Sequence, residues 1–204
     1  VRELVVASKN LAKVGEIRAM VERLGIGVTS LAELAPKLEI EEDGESFAEN
    51  AVKKAIFVSE ALERPALADD SGLEVDILSG RPGVRSARYG GEGLDDAGRY
   101  QRLLTEMFVV PPEHRSARFR CAMAYVDPGA DPVLFHGTLE GRIAAKPAGA
   151  FGFGYDPIFV PEGYDRTLGE IEPAVKNRIS HRAKALKAFI RWLEARRSII
   201  PPPA

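Results

Sequence analysis

Residues Arg64 to Gly72, "RPALADDSG", carry a short apolar run that stops on two adjacent carboxylates, Asp69 and Asp70, followed by Ser71 and Gly72. An apolar run bounded by turn-forming residues reads as a buried strand. The strand is expected to end at the acids, where Asp-Ser-Gly also makes good turn chemistry. Successive side chains of a strand point to opposite faces, so the two acids need not share a task. Near a strand end one of them can project into a crevice, where open α/β sheets hold their ligands.

Helical patterns lie around this strand. Upstream, "SFAENAVKKAIFVSEAL" opens on Ser46 and Glu49, spaced as a capping box, and sets Phe47, Ala51, Ala55, Val58 and Leu62 on one face. Earlier still, Leu4 to Ala7 reads as a strand that turns into a helix carrying Val14, Ile17, Val21 and Leu24, with Gly25 and Gly27 as stop signals. Downstream, after the glycine-rich surface segment "GRPGVRSARYGGEG", residues Asp95 to Met107 have helical spacing. The segments "ARFRCAMAYVD" and "PVLFHGTLEGRI" flank the turn-rich "PGADP" and predict an antiparallel hairpin. A last helix is expected from Ser180 as N-cap, with Leu186, Phe189, Ile190 and Leu193 inward, before a frayed tail over 198–204. These elements make one mixed α/β domain over 1–204.

The 204-residue chain is 45% hydrophobic and balances 28 basic against 30 acidic side chains, so it is globular and not a polyelectrolyte suited to nucleic-acid backbones. A single cysteine, Cys121, excludes an intramolecular disulfide and a cysteine zinc cluster, and suggests a reducing, cytoplasmic compartment. No apolar stretch approaches the ~18 residues of a membrane span, and no signal-peptide core is evident.

Four polar clusters carry candidate chemistry. "SKNLAK" follows a strand and opens a helix, so backbone N–H groups with Ser8, Asn10 and Lys13 suit an anion; by itself such a segment is more often a plain N-cap with surface lysines. "EIEEDGESF" places Glu39, Glu41, Glu42 and Asp43 before a helix, as a solvated run or as oxygen ligands for magnesium, with Lys54 farther along that helix. "GAFGFGYDPIF" offers glycines for close backbone approach, aromatic rings for stacking and Asp156 as acceptor; a loop packed by its own rings is the alternative. "KNRISHR" brings Lys176, His181 and Arg182 to the start of the last helix.

Taken in order, "SKNLAKVGEI", "EEDGESFAENAVKKA", "ALADDSGLEVDIL", "RPGVRSARYGG", "FGFGYDPIF" and "KNRISHRAKAL" closely resemble the inosine-triphosphatase-like, or Ham1-type, family of non-standard purine nucleoside triphosphate pyrophosphatases. Each motif is weak alone, whereas six in the family's order across nearly the whole chain are specific. The resemblance implies an elongated, two-lobed α/β protein with a central mixed sheet flanked by helices, a nucleotide between the lobes, and a homodimer. It implies that Ser8, Lys9, Asn10 and Lys13 form the first phosphate-side loop, that Glu41 and Asp70 bind Mg²⁺, and that Lys54 meets phosphate. By the same resemblance Asp70 is the catalytic carboxylate, Ser71 a substrate contact, and Asp69 a supporting acid. Phe153, Gly154, Tyr155 and Asp156 are the base-binding loop, closed by Lys176, His181 and Arg182. The implied reaction is hydrolysis of ITP, dITP or XTP to the monophosphate and pyrophosphate.

Two departures stand out. The family commonly shows Thr-Gly-Asn where this chain has Ser8-Lys9-Asn10, so a positive φ at Lys9 would be strained. Pro173, Ala174 and Val175 also stand before Lys176, where acidic residues are frequent in the family. Two other readings fit the same loops and lysines: a non-catalytic nucleotide-sensing module, and a pyrophosphatase for modified pyrimidine nucleotides.

Overall fold

The computed structural model describes residues 3–199. Its strands are β1 (Glu3–Val6), β2 (Gly27–Ser30), β3 (Ala66–Val75), β4 (Ser116–Val126), β5 (Val133–Ile143) and β6 (Phe159–Pro161). Its helices are α1 (Leu11–Val21), α2 (Leu31–Leu34), α3 (Phe47–Leu62), α4 (Asp96–Glu106), α5 (Pro173–Ile179) and α6 (His181–Ile199). The strands form one mixed sheet in the order β2-β1-β3-β4-β5-β6. β1 runs parallel to both β2 and β3, with Val5 opposite Ala66 and Val6 opposite Leu67, whereas β5 and β6 are antiparallel. Only six residues, 127–132, join the neighbouring strands β4 and β5, and a parallel crossover needs about a dozen or more, so this pair is the expected hairpin.

The chain divides into two compact units. One holds the residues up to Asp70, Ala122–Gly137 and the segment from Arg182 onward; the other holds Ser71–Cys121 and Thr138–His181. The first unit buries Val14, Ile17 and Val21 of α1 and Ala51, Ala55 and Val58 of α3. It also carries an aromatic group of Tyr125, Phe135, Phe189 and Trp192, with ring centroids 5.3–6.3 Å apart. The second unit has a separate core of Leu73, Val75, Leu103, Met107, Phe119, Leu139, Ile158, Phe159 and Leu168.

The largest difference from the sequence expectation concerns β3. It does not end at the acids but continues five residues beyond Asp70, to Val75. Leu73 and Val75 are fully buried, and that burial outweighs the turn preference of Asp-Ser-Gly. Asp69 and Asp70 are therefore mid-strand residues. β2 and α2 were not anticipated from Gly27, a stop signal that instead begins a strand, and Leu24 falls in a 3₁₀ turn after α1. Half of the α3 capping box forms: Ser46 Oγ accepts the Glu49 N–H, but the Glu49 carboxylate takes the N–H of Glu45. Of the tail expected over 198–204, residues 198 and 199 belong to α6 and the rest lie outside the described residues.

Candidate active site

The expected site residues divide between the two units. In the first, β3 carries Asp69 and Asp70 with 2% and 7% of their surface exposed. A buried carboxylate needs a paired cation, and each acid has one or more. Asp69 Oδ2 lies 3.3 Å from Lys13 Nζ and accepts from Arg182 Nε and Nη2 at 3.2 and 3.1 Å. Asp70 Oδ1 lies 3.7 Å from Lys54 Nζ. The same ammonium donates to the backbone carbonyl of Asp69 at 2.8 Å and to Glu42 Oε1 at 2.5 Å. Burial pulls the Lys54 ammonium down, but Asp70, Glu42 and Asp69 overcome it and hold Lys54 above the ordinary lysine value. Burial lifts the Asp70 carboxyl above its usual range, an effect that Lys54 and a hydrogen bond from Asn50 only partly offset.

Sequence position explains this convergence. Asn50 and Lys54 are four residues apart on α3, hence on one face, beside the apolar stripe that packs the helix down. Lys13 and Glu16 share a face of α1 in the same way, and Glu16 forms a short ion pair with Arg182 Nη1. Asn10 caps α1, its side-chain oxygen accepting from the N–H groups of Ala12 and Lys13 at 3.0 and 3.2 Å. Ser8 Oγ accepts the Asn10 N–H at 3.1 Å. Lys9 is exposed and does not adopt a positive φ, so the strain foreseen for the Ser-Lys-Asn loop is not there. Glu41 is exposed on the loop before α3, where its neighbour Glu42 reaches Lys54.

In the second unit the aromatic loop is fastened at several points. Asp156 Oδ2 accepts the Phe153 N–H at 2.9 Å and the Lys176 ammonium at 2.6 Å. That ammonium also sits 4.4 Å above the centroid of the Phe153 ring, a cation–π contact. Asp96, at the start of α4, accepts the Gly154 N–H at 2.7 Å. The Tyr155 hydroxyl donates to the Ser86 carbonyl at 2.8 Å, so Tyr155 is a buried pillar under the loop, and burial raises its phenol well above the ordinary value. Gly152 has φ +77°, and a Cβ there would overlap the Asp156 carboxylate. His181 stacks on Phe119, centroids 4.8 Å apart and 11° from parallel. Ser71 is half-buried on β3.

Lys176 was expected at the start of the last helix, but it belongs to α5, which begins at Pro173. The intervening Pro-Ala-Val is thus the first turn of a helix, because proline suits that position. Asn50 and Glu16 were not anticipated. Asn50 left a signal, a polar residue four before Lys54 beside the apolar stripe of α3, while nothing local marked Glu16.

Among the described residues no three or more His, Cys, Asp or Glu side chains group to hold a metal ion, and no helix is long and apolar enough to cross a membrane. The profile described as the Ham1 family matches residues 4–192. A dITP/XTP pyrophosphatase of Bacillus subtilis (strain 168) is 47% identical over 194 residues, covering 95% of this chain and 98% of that protein. One from Geobacillus kaustophilus is 48% identical, covering 95% of both chains. The solved Ham1 protein of Coxiella burnetii superposes with a TM-score of 0.86 at 40% identity, covering 96% of this chain and all of that one. The Ham1 protein of Staphylococcus aureus gives 0.85 at 36%, covering 95% and 99%. With the ordered motifs, the sheet and these matches in agreement across nearly its whole length, this chain belongs to the Ham1 family.

Proposed function

We propose that the chain is a nucleoside triphosphate pyrophosphatase that hydrolyses non-standard purine nucleoside triphosphates, dITP, XTP and ITP, to the monophosphate and pyrophosphate. The observation that carries this reading is the pair of buried mid-strand carboxylates set against Lys13 and Lys54, in a chain about 47% identical to a dITP/XTP pyrophosphatase. Lys13 and Lys54 serve the triphosphate, where fixed cations stabilise charge developing toward the leaving pyrophosphate. Asp70 orients the attacking water and accepts its proton, and Asp69 holds Lys13 and Arg182.

The donor set suits magnesium. Mg²⁺ takes oxygen ligands and commonly uses one or two protein carboxylates beside water and phosphate; Asp70, with the exposed Glu41 of the loop before α3, would provide them. When bound, the ion would neutralise phosphate oxygens and lower the pKa of the attacking water.

For the base, the half-buried ring of Phe153 provides stacking, which every purine satisfies, so selection falls to hydrogen bonds. Arg182 is 3% exposed and gives its Nε, Nη1 and Nη2 to carboxylates. To read the 6-keto oxygen of hypoxanthine or xanthine it would trade one of these acceptors for the base, an exchange the 6-amino group of adenine cannot offer. A panel assay tests the function. We expect kcat/KM for ITP, dITP and XTP to exceed that for ATP by about a hundredfold, and that for GTP as well, whose 6-keto group fits but whose 2-amino group would be crowded or left without an acceptor in the loop. We expect pyrophosphate as the first inorganic product; early release of orthophosphate with nucleoside diphosphate would refute cleavage between the α- and β-phosphates.

A second expected outcome concerns the loop. Gly152→Ala pushes aside the Asp156 carboxylate that fixes Phe153, so KM for ITP should rise about tenfold or more while kcat changes less. Unchanged KM in steady-state kinetics would remove the loop from base binding. The family also motivates a homodimer, which sedimentation would reveal, and the lone buried Cys121 accords with a reducing cytoplasm.

A further inference from the structure

We infer that Asn50 is a positioning residue that fastens the acidic loop before α3 to the Asp70 carboxylate; this rests on the reading of Asp70 given above. Asn50 is 1% exposed. Its Oδ1 accepts the Gly44 N–H at 2.7 Å, and its Nδ2 donates to Asp70 Oδ2 at 2.9 Å. An amide N–H can only donate, so the Gly44 bond fixes the orientation of the carboxamide and turns its NH₂ toward the acid. The approach at Gly44 is close, since a Cβ there would come within 2.5 Å of Asn50 Oδ1 and 3.2 Å of its backbone nitrogen. The loop that carries Glu41 and Glu42 is thereby held at one spacing from Asp70, whose other oxygen faces Lys54.

Neither of the two nearest replacements in size does both tasks. Aspartate keeps the shape and the acceptor for Gly44 but sets a second carboxylate against Asp70. Leucine fills the space and leaves the buried Gly44 N–H without its acceptor. An outer partner of this type acts through the carboxylate it orients, and its loss typically costs about 10–100-fold in activity or metal affinity.

The test measures steady-state kinetics with ITP and magnesium, and thermal melting without magnesium, for Asn50→Leu, Asn50→Asp, Asp70→Asn and the exchanged pair Asn50→Asp/Asp70→Asn. Asn50→Leu and Asn50→Asp should lose about 10–100-fold in kcat with KM within about threefold, a split that mere space-filling would not give. Asn50→Asp should melt below the parent. The exchanged pair restores one donor and one acceptor in reverse, so its melting temperature should recover beyond the sum of the single changes while turnover stays lost. Parental kcat in Asn50→Leu or Asn50→Asp, or strictly additive melting shifts, overturns the inference. Near-parental turnover by Asp70→Asn overturns the catalytic reading of Asp70 instead, and is told apart because the melting cycle would still show the coupled pair.

Discussion

Asp70→Asn is expected to lower kcat by about a thousandfold or more while the fold and nucleotide binding persist. The amide preserves the shape of the side chain but carries no charge for magnesium and no basic oxygen for the attacking water. It also relieves a cost. Burial raises the folded-state pKa of Asp70, so its contribution to stability is fully present below the unfolded value and is lost as pH rises through the folded value. At neutral pH the ionised group therefore opposes folding, whereas Asn does not ionise. Lys54 keeps Glu42 and the Asp69 carbonyl as partners in the variant. Melting in magnesium-free buffer at pH 7.5 should accordingly be at or above the parent, with the advantage shrinking as pH falls. Asp69→Asn behaves differently, since it weakens the hold on Lys13 and Arg182, and should melt lower. Turnover by Asp70→Asn within a few fold of the parent at saturating magnesium would move the catalytic role to another residue.

That contrast between neighbouring acids shows where the sequence was informative. The helices were legible because Val14, Ile17 and Val21 or Ala51, Ala55 and Val58 repeat at helical spacing, a signal that depends only on which face is buried. Both carboxylates were legible as a pair on a strand, on opposite faces. Their mid-strand placement was not, because Asp-Ser-Gly is local turn chemistry and the burial of Leu73 and Val75 that overrides it is a tertiary fact. Short elements were lost for a related reason: β2 has four residues and α5 seven, too few for a period to emerge. Pro173, in the sequence only a departure from the family's acidic residues, opens α5. Partner choice was the least legible layer. The sequence offers Arg182 many acids, and only the fold selects Asp69 and Glu16.

The ion pair beneath the aromatic loop is where a single change should cost the most stability. Lys176 and Asp156 keep 6% and 4% of their side-chain surface exposed, with Nζ 2.6 Å from Oδ2. A pair this deep adds little net stability, because desolvation of both ions offsets their attraction, but removing one partner takes from the other the ion that compensates its burial. Asp156→Ala takes from the buried Lys176 ammonium its 2.6 Å counter-ion and also removes the acceptor of the Phe153 N–H. Loss of about 3–5 kcal/mol is expected, and at about 2–4 °C per kcal/mol for a chain of this size the melting temperature should fall by roughly 6–20 °C. KM for ITP should rise as well, since the ring is no longer held. Lys176→Met separates charge from packing: its thioether chain fills much of the same space without an ion. In the Asp156→Asn/Lys176→Met pair both charges are gone together, so most of the melting loss should return while KM stays high. If Asp156→Ala melts within about 2 °C of the parent, or if the neutral pair melts no better than Asp156→Ala, the ion pair does not carry the stability assigned to it, and the loop owes its shape to Asp96, Ser86 and its glycines.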